Sequence, residues 1–231
     1  MKHVNDRTRG LQPIHGFTLI ELLVVVAIIA ILIAILLPVL SKTRFTARKV
    51  TCGARLGQIY VAFSAYLQDY NDQAFWRAND IHNNGMEWYV YGGRETGNYC
   101  TDQMGLFNRV IPRPLNLYVS NEIRTFMCPE DSKGWEWAQG YTHYDWVGNS
   151  YIFNCTGYLS EDYLPLDDLS RGFAGKVFTT AADLSTTAVF LDTSLVKSPQ
   201  DWHEGNGNIC FGDGHVKFVM VKELERYCWN Q

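Results

Sequence analysis

Between Phe17 and Leu40 this chain has almost no charge: one carboxylate, Glu21, and no base in 24 residues. Aromatic residues are equally scarce at that end, with only Phe17 and Phe45 of the 32 lying before residue 56. Such a stretch cannot be a solvated surface helix, which carries a polar face. The whole chain also lacks a Gly-x-Ser-x-Gly nucleophile elbow, a His-Glu-x-x-His metal motif and a Gly-rich phosphate loop, so no catalytic motif speaks for an enzyme. Neighbouring acids such as Glu161-Asp162 and Asp167-Asp168 read as solvated turn positions and not as acid/base partners.

What is present is strongly polarised. The formal net charge of −4 in 231 residues conceals +2 in residues 1 to 16, +4 in residues 17 to 55 (Lys42, Arg44, Arg48, Lys49 and Arg55 against Glu21) and −10 in the rest. The last 176 residues hold thirty of the aromatics, enough apolar surface for one domain with a substantial core and too much for a disordered tail. An acidic domain does not neutralise phosphates, so nucleic acid is not an expected partner. The basic run from Lys42 to Arg55 borders the apolar segment, where lipid headgroups are the natural anions.

Leu22 to Leu37 is an unbroken apolar run of sixteen. As a helix, Phe17 to Leu40 spans about 36 Å, sufficient for a hydrocarbon core of about 30 Å. A secretory signal would need a small-x-small cleavage site after the run; Leu36-Leu37-Pro38-Val39-Leu40-Ser41-Lys42 offers none. The segment is therefore expected to anchor the chain in a bilayer. Glu21 is costly in such a helix, about 3 kcal/mol at its centre and less near its end. Either it stays hydrated at the interface, or it meets a cation. A cut between Gly16 and Phe17 would create one as a new α-ammonium, which a neighbouring helix could present to Glu21.

Gly16-Phe17-Thr18-Leu19-Ile20-Glu21-Leu22-Leu23-Val24-Val25, after a basic leader, closely resembles the processing site of type IV pilin-like proteins, including type II secretion pseudopilins. Pro38 stands twenty-two residues after the cut, where many of these helices carry a proline that kinks them. The resemblance implies a leader at 1–16, a transmembrane helix at 17–40, its amphipathic continuation at 41–70 and an extracytoplasmic domain at 71–231. It further implies cleavage and N-methylation by a prepilin peptidase, assembly with other pilin or pseudopilin subunits on an inner-membrane platform, and no cofactor. Glu21 and Pro38 are the expected assembly residues.

Leu56, Ile59, Tyr60, Phe63, Tyr66, Leu67 and Tyr70 make one apolar helical face, Gly53 and Gly57 weaken it without ending it, and Asn71-Asp72 is its expected stop. Beyond it, short apolar runs separated by Gly, Asn, Asp and Pro read as strands and loops. Turns are expected at Asn83-Asn84-Gly85, Gly92-Gly93 and Pro112-Arg113-Pro114. Strands are expected at Ser150–Asn154, at Thr187–Leu191 and in a C-terminal hairpin. That hairpin places Asn208–Gly212 and His215–Val221 around a two-residue Asp213-Gly214 turn of type I′, with Ile209 and Phe211 facing the helix. The expected fold is α+β: a long N-terminal helix on a small antiparallel sheet.

His203, nine intervening residues, then Asp213-Gly214 resembles the C-terminal signature of a large subgroup of pilin-like proteins, abundant in planctomycete-like bacteria. Cys52 with Leu56-Gly57-Gln58-Ile59 and Tyr66, Phe126-Met127-Cys128-Pro129 with Asp131, and Tyr151 to Asn154 match the same subgroup. The six cysteines (52, 100, 128, 155, 210, 228), placed outside the membrane, suggest disulfides in any of fifteen full pairings; the matching islands single out Cys52 with Cys128. His203, Asp213 and His215 are metal-ligand types, yet turn chemistry for Asp213 and a backbone hydrogen bond for His203 account for the pattern without a metal. Asp69, Asn71 and Asp72 offer oxygens, but the spaced Gly and later Glu of a calcium loop are missing. The seven tryptophans (76, 88, 135, 137, 146, 202, 229) suit core and interface packing. They also suit sugar stacking, and hence an alternative role as a membrane-anchored polysaccharide-binding module.

Overall fold

The computed structural model describes residues 17–75, 91–94, 113–120, 122–132, 140–154, 172–173, 175–180, 183–195 and 202–227. Gly16, the Asn83-Asn84-Gly85 turn, both acid pairs, five of the tryptophans (76, 88, 135, 137, 229) and Cys100, Cys155 and Cys228 lie outside the described residues.

The first element, α1, runs Leu19–Asp69, with Pro38 inside it. Its start is fixed by a reciprocal cap. The Thr18 hydroxyl accepts from the Glu21 backbone N–H (3.3 Å), and the Glu21 carboxylate accepts from both the Thr18 backbone N–H and its hydroxyl (2.8 Å each), the Thr-x-x-Glu capping box. Its end is the expected Asn71-Asp72 stop. Both residues are left-handed, with φ of 54° and 59°, and the Asp72 N–H turns back to the Leu67 carbonyl at 2.8 Å, closing orphan carbonyls of the last turn. The chain separates into two compact units, residues 1–44 and 45–231. In the first, the apolar side chains from Leu19 to Leu40 are exposed.

In the second unit, Cys52, Leu56, Ile59, Phe63, Tyr66 and Leu67 of α1 are buried and enter one core cluster with Phe75, Tyr91, Phe126, Phe153, Phe190 and Cys210. A short helix, α2 (His143–Val147), precedes four strands: β1 (Tyr151–Phe153), β2 (Ala188–Asp192), β3 (Asn206–Phe211) and β4 (Val216–Met220). They form one antiparallel sheet in the order β1-β2-β3-β4. Both faces are covered. Tyr151, Phe153 and Cys210 join the cluster containing the α1 residues, while Ile152, Leu191, Ile209, Phe211 and Val219 pack on Val147 and Leu195. A register shift between Ala188 and Phe190 places Val189 and Phe190 together in the α1 cluster, which strict alternation would forbid.

The C-terminal hairpin differs from the expected one. The pairs are Cys210 with Val216, Ile209 with Lys217 and Asn208 with Phe218. The loop is three residues, Gly212-Asp213-Gly214: Gly214 N–H donates to Phe211 O (2.9 Å), and Phe211 N–H to His215 O (3.0 Å). Only Gly214 is left-handed (φ 89°), so the turn is a tight bend followed by a glycine bulge and not a type I′ pair. One residue of slip exchanges the faces. Cys210, not Ile209 and Phe211, therefore joins the α1 cluster. Gly53 of α1 makes room for this face, since a Cβ there would lie 3.1 Å from Asn208 Oδ1, whereas one on Gly57 would make only ordinary contact with Val216 at 4.0 Å. The Tyr60 ring occupies the space a Gly214 Cβ would need, and its hydroxyl donates to the Gly212 carbonyl.

Candidate functional site

The conspicuous buried polar centre of the second unit lies between α1 and the sheet. Cys52 of α1 is joined to Cys128 in a disulfide with the Cα atoms 5.3 Å apart. Cys128 follows a single-turn helix, Ile123–Phe126. His203 Nε2 lies 3.3 Å from Cys128 Sγ and 3.6 Å from Asp192 Oδ2. Its backbone is strained: His203, Glu204 and Gly205 are all left-handed, with φ of 55°, 57° and 71°, a sequence of conformations that non-glycine residues hold only when the surroundings impose it. That run carries the chain into β3 while the imidazole stays 1% exposed, edge-on to Phe45 and Phe218. Asp192, the last residue of β2, is held by the Asn208 backbone and side-chain N–H groups at 2.7 and 2.9 Å, both on Oδ2. Burial lifts its carboxyl to about 7. Burial, with Lys49 adding repulsion, lowers the His203 imidazole to about 4.

Asp213 and His215 do not share this centre. The Asp213 carboxylate accepts from the His215 backbone (3.1 Å) and Nδ1 (2.6 Å) at the exposed hairpin tip. Among the described residues, the ligand-bearing group that converges is Cys52, Cys128, Asp192 and His203, with ligand atoms within 4.8 Å of one another. Asp69 accepts from the Tyr118 hydroxyl at 2.8 Å, and Asn71 and Asp72 serve the helix stop. The two described tryptophans pack: Trp202 is buried edge-on to His143, and Trp146 leans on the outer cluster of the sheet.

At the other end, Phe17 is exposed, Glu21 sits in the capping box with Thr18, and α1 is long and apolar enough to cross a membrane. Residues 12–37 match the prokaryotic N-terminal methylation motif. This motif spans Gly16, Phe17 and Glu21 and supports a type IV pilin-like protein, a structural subunit in preference to an enzyme. With the apolar helix it fits a single-pass inner-membrane anchor. The motif does not reach the segment from His203 to Gly214. No curated protein and no solved structure matches the chain.

Sequence reasoning did not single out Asp192, which belongs to a strand whose five residues are all buried; a lone acid ending an apolar run was the available signal. It also placed Asp131 only as part of a resemblance. Asp131 is 1% exposed and accepts from the backbones of His143 (2.9 Å) and Tyr144 (2.7 Å) and from the Ser150 hydroxyl (2.7 Å). It thereby ties the segment after Cys128 to the start of α2. Burial outweighs these bonds and raises its carboxyl to about 7, while burial lowers the His143 imidazole to about 4.

The two shifts have opposite consequences. A raised carboxyl gives stability that is complete below its unfolded value of 3.8 and is lost as pH rises through about 7. A depressed imidazole gives stability present above its unfolded value of 6.5 and lost as pH falls through about 4. Between pH 4.5 and 6 the pair therefore nearly cancels. Asp131→Asn removes one half: relative to the parent chain, its unfolding free energy should improve by about 1.4 kcal/mol per pH unit rising from about 4.5 to 6.5. Denaturant titrations across that range measure it, and parallel lines for the two proteins would refute it.

Proposed function

We propose that the chain is a pilin or pseudopilin-type structural subunit of an envelope filament or a type II secretion-like machine. The observation that carries this reading is the methylation motif over residues 12–37 on a helix with a bilayer-length apolar stretch. Prepilin peptidase cuts after Gly16 on the cytoplasmic side and methylates the new amine of Phe17. Residues 17–40 hold the subunit in the inner membrane, 41–70 continue the helix, and 71–231 lie outside the cytoplasm.

Cleavage and methylation rest on the motif, and the anchoring and assembly roles on charge and apolar area. The basic leader and the Lys42–Arg55 run bracket an anchor with no base of its own. The same exposed apolar side chains that lipid solvates before assembly are covered by neighbouring helices afterwards. In the uncut chain Glu21 is satisfied by Thr18. Cleavage turns the Phe17 amide into an ammonium, and that ammonium on an adjacent subunit offers Glu21 a stronger, charge-assisted partner. The exchange favours association only after processing, and it sets the axial register of neighbouring subunits. Pro38 lacks a helix N–H donor and gives the packed helix a bend.

Intact mass of the protein recovered from membranes tests this. The expected value lacks residues 1–16 and carries one added methyl, and an uncut chain overturns the reading. In the same cells, Glu21→Ala should remain in the membrane fraction, and insert at least as well, while assembled material that sediments with sheared filaments disappears.

A further inference from the structure

We propose that Cys52, Cys128, Asp192 and His203, with both cysteines reduced, form a tetrahedral binding site for a divalent metal of zinc type. The proposal stands on the geometry of the second unit and does not depend on the filament reading.

The donor set is two thiolates, one imidazole and one carboxylate, all buried and all within 4.8 Å of one another. Typical zinc bond lengths, about 2.3 Å to sulfur and about 2.0 Å to nitrogen or oxygen, give tetrahedral edges of about 3.3 to 3.8 Å. His203 Nε2 already lies 3.3 Å from Cys128 Sγ and 3.6 Å from Asp192 Oδ2. The two sulfurs must separate from a bond to a contact, and ligand atoms up to 4.8 Å apart must draw in to those edges. The ligands come from α1, the segment before α2, the end of β2 and the left-handed run before β3, so one ion would join four parts of the fold.

Two further observations point to an occupant. Asp192 Oδ1 is a buried carboxylate oxygen without a hydrogen-bond partner among the described residues, a costly arrangement that a cation bound through Oδ2 relieves by neutralising the shared charge of the carboxylate. The Asp192 carboxylate is fully buried, and among the described residues its partners are Asn208 N–H groups and the His203 ring; a cation would supply the positive charge it lacks. Asn208, through two N–H groups on Asp192 Oδ2, fixes the carboxylate as outer-shell donors of metal sites do. The residual charge of an occupied site would also have cations near it. Two thiolates and one carboxylate around a divalent ion leave −1, with the Lys49 ammonium over the Phe218 ring beside His203 and the Arg55 guanidinium on the Met127 carbonyl nearby.

Metal and disulfide use the same sulfurs and exclude each other. In the newly made chain both are thiols; binding the ion releases their two protons to solvent and forms two metal–sulfur bonds. The ion then ties α1 to the Cys128 segment as the disulfide does in the oxidised chain, and adds Asp192 of β2 and His203 before β3 to the junction.

The test uses the full chain in detergent, kept reduced by a phosphine and titrated with Co²⁺, then Zn²⁺. One equivalent of cobalt should give the visible bands of a tetrahedral ion with a thiolate-to-cobalt charge-transfer band, displaced by zinc and absent from the disulfide-bonded chain. Cys52→Ser with Cys128→Ser should abolish the bands. His203→Ala and Asp192→Asn should each weaken binding by about tenfold or more. Should the reduced chain lose its near-ultraviolet circular dichroism, zinc must restore it in the parent chain and not in His203→Ala. The proposal is overturned by a folded reduced chain that gives no bands, by bands that persist without Cys52 and Cys128, by His203→Ala and Asp192→Asn binding as tightly as the parent, or by failure of zinc to restore structure.

Discussion

Phe63→Ala is expected to lower the unfolding free energy by about 4 kcal/mol, the upper range for truncating a buried aromatic. Phe63 is completely buried, and its ring stands edge-on or nearly so to Phe75, Phe153, Phe178 and Phe190 at centroid distances of 5.3 to 5.8 Å. Those four rings come from the segment after α1, from β1, from the loop between the strands and from β2. The cavity left by Ala cannot close by moving one neighbour, because each ring also packs on others of the cluster, as Phe75 does on Tyr91 and Phe153. Each aromatic pair adds about 0.5–1.5 kcal/mol beyond area burial, though not additively. Denaturant midpoints at constant slope measure the loss. Val61→Ala is the control, since Val61 is 69% exposed in the same turn and should change stability by no more than about 0.5 kcal/mol. A Phe63→Ala cost below about 1 kcal/mol would mean that this cluster is not the centre of the core.

Removing the Cys52–Cys128 bridge should cost about as much, by a different route. The bridge closes a loop of 76 residues, for which chain entropy gives about 4.5 kcal/mol, within the usual 2–5 kcal/mol for a native disulfide. Cys52→Ala with Cys128→Ala, measured without metal, should therefore lower the melting temperature by roughly 10 °C. The unfolded state gains the freedom, so the native structure of the variant should be little changed, and its near-ultraviolet spectrum should match the parent's below the transition. A peptide map under non-reducing conditions should return the Cys52 and Cys128 peptides linked. An unchanged melting temperature would show that the bridge is not formed in the purified protein.

How much of this was legible differs from one element to the next. The apolar run and its lone Glu21 were readable because a bilayer imposes a length and a polarity on the segment that crosses it, whereas the Gly16-Phe17 junction was an expectation from resemblance alone. The buried face of α1 was readable from its period, and Asn71-Asp72 from stop chemistry. The capping box of Thr18 and Glu21 was equally visible as Thr-x-x-Glu, but attention to Glu21 as a charge in lipid passed over it as a cap. The hairpin was legible in place and not in register. Asp213-Gly214 allows a two-residue or a three-residue loop, and local turn chemistry does not separate them. The docking of Gly214 under Tyr60 and of Asn208 against Gly53 selects the three-residue form.

The buried centre shows the same division. His203 stood out by its spacing from Asp213, yet its partners are Cys128 and Asp192, residues 75 and 11 positions away. By itself the sequence determined the composition-driven features: a long apolar segment, an amphipathic continuation of its helix, an acidic α+β domain and the positions of its strands. These follow from hydrophobicity, period and charge, which are properties of neighbouring residues. The tertiary structure alone decided which face of the hairpin meets α1, and that Asp192 and His203 join the Cys52–Cys128 pair that resemblance had already singled out. The reason is physical: a left-handed run at His203 and a register shift in β2 are imposed by packing between distant segments, and no local preference encodes them.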